Sequence, residues 1–210
     1  MNFAVVSSVL VLTLLPLQQP FVRFTFCHEY TAGAYEKQCL ELLPDGTGQS
    51  RMTRRGSGEI STAIKLSEPA VDRVALAIAA TRNLEDRQKY ESRKKVANLG
   101  RKLLTLELPT EKREAEFNYS DLKEVNALAS LLDAFLNQQV LISSMEIAAQ
   151  YERLSIPERL DDLQSQLKFG RIGDPQGLIP VLDKLIQNER ILEYARDHAR
   201  QLKEQIIAAK

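Results

Sequence analysis

Between residues 122 and 154 apolar side chains recur at the spacing of one helical face, and no other feature restricts the architecture as much. Leu122, Val125, Leu128, Ala129, Leu132, Phe135 and Leu136 make the first half of the stripe. Val140, Leu141, Ile147, Ala148, Tyr151 and Leu154 make the second. An unbroken helix of that length is roughly 51 Å long. It outruns a small sheet, so its two halves need two different partners. Asp121 and Glu124 stand at capping-box spacing and mark its start.

The first partner is a set of strands upstream. Residues 21–30 alternate, with Val22, Phe24, Phe26 and His28 on one side and Arg23, Thr25, Cys27 and Glu29 on the other. A turn at Thr31-Ala32-Gly33-Ala34 leads to a second strand over 37–43, with Leu40 and Leu42 opposite Cys39 and Glu41. Pro44-Asp45-Gly46 is a strong turn, followed by a polar strand over 49–55 and a fourth over 58–65. Together they read as an antiparallel meander. Ser67 and Pro69 open a helix whose inner stripe is Val71, Val74, Ala75, Ile78 and Thr81. Residues 82–102 are charged and mostly basic, and read as an exposed connection. A second hairpin follows, with strands over 103–108 and 113–119.

The second partner is the tail. Ser155 and Glu158 frame another capping box, and Gly170 stops the helix they open. Asp174-Pro175 caps a helix lined by Leu178, Ile179, Leu182, Leu185 and Ile186. After Asn188-Glu189 a last helix carries Tyr194, Ala195, His198, Ala199 and Leu202. The expected fold class is therefore α+β: antiparallel β-hairpins packed on helices over 20–136, then a helical extension over 137–210 ending in a helical hairpin or small bundle.

The uncharged run at 4–17 is 14 residues long, which as a helix is about 21 Å against a hydrocarbon core of roughly 30 Å. It suits the apolar part of a secretory signal peptide over 1–19, with a buried first strand or helix as the alternative. Cleavage would leave no stable membrane span and an extracytoplasmic protein, periplasmic or secreted.

Lys and Arg number 28, as do Asp and Glu, and tryptophan is absent. That balance gives no global attraction to nucleic acid, and few aromatics are available for stacking. Arg51, Arg54 and Arg55 form a local basic cluster on the polar strand, a candidate contact patch for an acidic partner. His28 and His198 are the two histidines. Strand alternation turns His28 away from Cys27, Glu29 and Cys39, which disfavours both a metal site and a Cys-His nucleophile pair. The glycine pairs Gly46/Gly48 and Gly56/Gly58 complete no phosphate-loop or dinucleotide fingerprint. No catalytic, cofactor-binding or metal-ligating set emerges. The expected function is non-enzymatic binding of a protein partner; an enzyme built from dispersed carboxylates is the contrasting class.

The stretches VRFTFCHEYTAG, KLLTLEL and REAEFNY, with the Asp45-Gly46 turn and the helices at Ser67 and Asp121, resemble emfourin-type peptidase inhibitors. The resemblance covers about 22–136 and implies a peptidase as partner. The basic insert and the helical tail depart from a compact inhibitor, and no inhibitory residue is carried over. The tail from Asp174, with Pro180, Asp183, Arg196 and Ala199, is similar to one HEAT-type helix pair. A solenoid needs about three such units, so a single docked pair is expected.

Two cysteines complete the reading. Cys27 and Cys39 are each six residues from Gly33, so a turn centred there sets them opposite each other on the polar face. Opposed Cβ atoms lie about 4.5–5.5 Å apart and a disulfide wants about 3.8 Å, so a bridge needs local twist. An exported chain should hold the bridge; a cytosolic one should hold two free thiols. The face assignment carries its own test. Phe26→Ala should lower unfolding free energy by about 3–5 kcal/mol, and an unchanged denaturation midpoint would refute the inner face.

Overall fold

The computed structural model describes residues 21–85, 90–98 and 100–209. The expected signal peptide at 1–19 lies outside them. Six strands form one antiparallel sheet: β1 (Arg23–Glu29), β2 (Tyr35–Leu42), β3 (Thr47–Arg54), β4 (Glu59–Lys65), β5 (Arg101–Glu107) and β6 (Lys112–Phe117). Their spatial order is β4-β3-β2-β1-β5-β6. The first four make the meander. The second hairpin then docks β5 on the free side of β1, pairing Phe24 with Leu106 and Phe26 with Leu104.

Period-two alternation drives one face into the core. Phe24, Phe26, Leu40, Leu42, Met52, Leu104, Leu106 and Phe117 are nearly inaccessible to solvent. Helices α1 (Glu68–Ala80) and α2 (Lys123–Tyr151) cover that face through Val74, Ile78, Leu128, Leu132, Phe135 and Leu136. Val22 departs from the expected stripe: it precedes the strand and is 49% exposed. Phe21 is buried instead and meets Phe24 edge-on, with ring centroids 6.2 Å apart. The connection after α1 is also less exposed than its charge suggests. A 3₁₀ turn at Arg82–Leu84 buries Leu84, and Tyr90 joins the same core.

Helix α2 runs 29 residues, about 44 Å. Its length and apolar content alone would also suit a membrane span. Two cores account for that composition. The sheet-side core includes its residues up to Leu136; the second begins at Leu141 and adds Met145 and Ala148. Around that second half pack α3 (Ile156–Lys168), α4 (Ile179–Gln187) and α5 (Glu193–Ala208), through Leu160, Leu163, Leu182, Leu185, Ala199 and Leu202. Tyr194, expected on the inner face of α5, is 61% exposed; Ala195 takes the inward position.

The capping boxes do not form. Leu122 precedes α2 with no side-chain cap. Asp121 turns away to accept from Ser92 Oγ at 2.7 Å and to pair with Lys94 at 2.8 Å. Those partners, Lys94 first, hold its carboxyl below the usual range. Before α3, Ser155 donates its hydroxyl back to the Glu152 carbonyl, 2.9 Å away.

Asp174 likewise leaves its own helix turn uncapped and bridges the two cores. Its carboxylate accepts the Ser67 N–H and the Ser67 hydroxyl, each at 2.7 Å, at the start of α1. Gln138, in the middle of α2, accepts the Asp174 N–H at 2.6 Å and donates to the Asp174 carbonyl at 2.8 Å. Gly173 makes this approach feasible, because a Cβ there would lie 2.7 Å from the Phe135 main-chain nitrogen. Arg73 closes the joint by donating to the Gly173 carbonyl. Gln138→Leu leaves the buried Asp174 N–H without a partner and its carbonyl with the Gly177 N–H alone, 3.0 Å away. Urea unfolding should show a loss of about 1–3 kcal/mol, and a loss below about 0.5 kcal/mol would show that the joint does not hold the two cores together.

Candidate functional site

Among the described residues, the helices cover one face of the sheet and leave the other uncovered. On the other, the pairing registers line side chains into rows. One row runs Ser61, Arg51, Cys39, Cys27, Leu103, Glu116; the next runs Ala63, Gln49, Glu41, Thr25, Thr105, Glu114. Cys27 and Cys39 are joined by a disulfide at the centre, with Cα atoms 4.1 Å apart. The narrow separation fits a closely spaced antiparallel pair.

Charges of opposite sign surround the bridge. Arg23 and Arg51 both approach Glu41 at 3.6 Å, and Arg23 also lies 3.8 Å from Glu107. Arg101 pairs with Glu116, and Lys37 donates to Glu29 at 2.9 Å. The Lys37 bond and charge hold the Glu29 carboxyl below its usual range. These groups are part-exposed, so each pair adds little to stability. Together they spread charges of both signs over the face.

Two hollows open from this face and share Glu29, Arg101 and Glu116. The smaller, about 230 Å³ and the more enclosed, reaches Cys27 and Leu103. The larger, about 580 Å³, continues past the sheet end to Tyr30, Thr31, Asn98 and Asn118. Both are open and polar-rimmed, suited to projecting side chains of a partner more than to an enclosed small molecule.

The basic residues of β3 are not brought together. Arg51 lies on the uncovered face, whereas Arg54 stacks over the Tyr35 ring at 6.0 Å. Arg55 pins the β1–β2 turn, donating to the Gly33 carbonyl at 3.1 Å and the Tyr30 carbonyl at 2.5 Å. His198 approaches Asp161 at 3.6 Å on the tail. Among the described residues no cluster of His, Cys, Asp and Glu could hold a metal ion.

His28 faces the core, away from the disulfide. Its Nδ1 lies 2.8 Å from an Asp133 oxygen on α2, and the other Asp133 oxygen lies 3.9 Å from Lys102. Tyr30 stacks on the imidazole, ring centroids 4.0 Å apart, and donates to Gln38 at 2.7 Å. This polar seam anchors α2 to the end of β1. Sequence spacing hides it, since Asp133 is 105 residues from His28. Asp133 does stand as a lone carboxylate in an apolar helix stretch, and that was the available signal.

Burial, and then the Asp133 charge, push the Tyr30 phenol well above its ordinary value of 10.0. The native state therefore keeps a proton that the unfolded chain gives up near pH 10, and stability falls as pH rises above that point. An ultraviolet titration to about pH 11 should release the same phenolate absorbance from wild type and Tyr30→Phe. A smaller step in the variant would mean Tyr30 ionises with the others. No family model matches this chain and no curated protein matches its sequence, so its functional reading rests on geometry and residue chemistry.

Proposed function

We propose that this chain is a non-enzymatic, extracytoplasmic binding protein that engages a protein partner through the uncovered face of its sheet. The observation that carries this reading is the one-sided sheet. Its part-exposed charge pairs, set around a central disulfide, form a broad surface held in register by six strands. A protein surface is the matching ligand, because the hollows are open and alternating charge offers complementary contacts without one dominant sign.

The bridge supports the extracytoplasmic reading. A disulfide such as this one, with Cys27 part-buried and Cys39 buried, persists in an oxidising environment, whereas cytosolic thiols are kept reduced. Closing a loop with a sequence separation of 12 adds at most about 3 kcal/mol by constraining the unfolded chain. The same bridge stiffens the centre of the binding face.

The emfourin-like pattern of 22–136 makes secreted metallopeptidases the first partners to test. Binding should be measured by surface plasmon resonance against such a panel and against proteins captured from the native compartment. The paired reversals Arg51→Glu and Arg101→Glu should weaken capture at least tenfold while leaving the melting temperature within a few degrees. Equal capture by wild type and variant would remove the uncovered face from the interaction. Mass spectrometry with alkylation before reduction tests the compartment: two thiols labelled without reductant would overturn the extracytoplasmic assignment.

A further inference from the structure

We infer that β4 is a self-association edge and that two copies of this chain join through it, antiparallel, across a two-fold axis at Thr62. The two ends of the sheet are built differently. β6, at one end, carries charge at Lys112, Arg113, Glu114 and Glu116 and is protected against strand addition. β4, at the other, reads Glu-Ile-Ser-Thr-Ala-Ile-Lys and has neither charge nor proline between its terminal residues. Six of its seven residues are exposed, and its outer edge pairs with no strand among the described residues.

The strand is complementary to itself in one register. With Thr62 on the axis, Glu59 of each copy faces Lys65 of the other, Ile60 faces Ile64, and Ser61 faces Ala63. Both ends then pair unlike charges. Ile60, 44% exposed alone, and Ile64 meet their counterparts on the helix side of the sheet, where their neighbours on β3 are Met52 and Gly48. A parallel in-register pair would set Glu against Glu and Lys against Lys. Centring on Ser61 or Ala63 loses the charge pairs and the isoleucine pairs together. Cross-strand pairs of this kind are the unit of sheet stabilisation, and a two-fold axis doubles each one. The result is a continuous sheet of twice the width whose uncovered face carries two copies of the surface described above. This association is independent of what that face binds.

A single strand pair buries less than a standard interface, so dissociation constants in the range of about 10–100 µM are expected. Sedimentation velocity of the full chain should show a concentration-dependent dimer. Glu59→Lys should weaken it about tenfold, and adding Lys65→Glu should restore it. Glu59 and Lys65 sit at opposite ends of a seven-residue strand, too far apart to touch within one chain, so rescue can arise only between chains. Circular dichroism melts on each variant confirm that the fold is intact. Under mild oxidation Thr62→Cys should cross-link to itself, because residues facing across the axis have Cα atoms within disulfide reach. Ser61→Cys, which faces Ala63, should cross-link far less. Monomeric wild type at about 200 µM, no rescue by the charge swap, or equal cross-linking of the two cysteine variants would each overturn the assignment.

Discussion

Everything beyond the sheet depends on one buried residue, Asp174. Its side chain takes both donors of Ser67 at the start of α1, and its main chain is read by the Gln138 amide in the middle of α2. A carboxylate that is 1% exposed is costly unless hydrogen-bonded, and these contacts meet that requirement. Three segments distant in sequence therefore meet at one point. Because Gln138 lies between the last α2 residue of the sheet-side core and the first of the helical core, the joint sets how the two cores share a helix. An apolar contact in the same place would bring the elements together without fixing their register, since hydrogen bonds are directional and dispersion is not.

The hairpins were legible because strand alternation is local. Phe24 and Phe26 against Thr25 and Cys27 declare two faces within five residues, and equal distances from Gly33 set Cys27 opposite Cys39. Helix existence was legible for the same reason. Helix entry was not. Asp121, Ser155 and Asp174 each stood where a cap is expected, but the two carboxylates accept from other donors and the Ser155 hydroxyl donates to the Glu152 carbonyl. Capping competes with any other donor or acceptor that folding brings near, and sequence spacing carries no information about that competitor. Leu84 and Tyr90 were missed on similar grounds. They sit among charged neighbours with no regular period, and only the tertiary fold turns them inward.

The candidate site divides along the same line. The disulfide and the polar side of each strand could be read from alternation. Their assembly into one surface could not, because it depends on β5 crossing back to pair with β1 rather than with β4. That choice places Leu103 beside Cys27 and Arg101 beside Glu29. The Arg51, Arg54 and Arg55 cluster shows the opposite error. Proximity in sequence suggested a patch, but the pleat sends Arg51 and Arg54 to different faces and the turn captures Arg55.

A sheet covered on one side must solve a problem that a sandwiched sheet does not. Its open face has to stay solvated without weakening strand pairing, which favours β-branched and aromatic residues. Here threonines occupy the centre of the open face and charges of both signs occupy the flanks. Thr25 opposes Thr105, while Glu41 sits between Arg23 and Arg51. Threonine keeps the branched shape that suits a strand, with Thr25 part-exposed and Thr105 buried among its neighbours on that face. Paired charges avoid like-sign repulsion between neighbouring strands, which would otherwise open the sheet. On the proposed function, the same composition that lets the face remain solvated also leaves it ready to exchange water and internal ion pairs for those of a partner. Stability of the uncovered sheet and capacity for polar recognition therefore arise from one set of residues, and a substitution that added apolar area there would trade the second for non-specific adhesion.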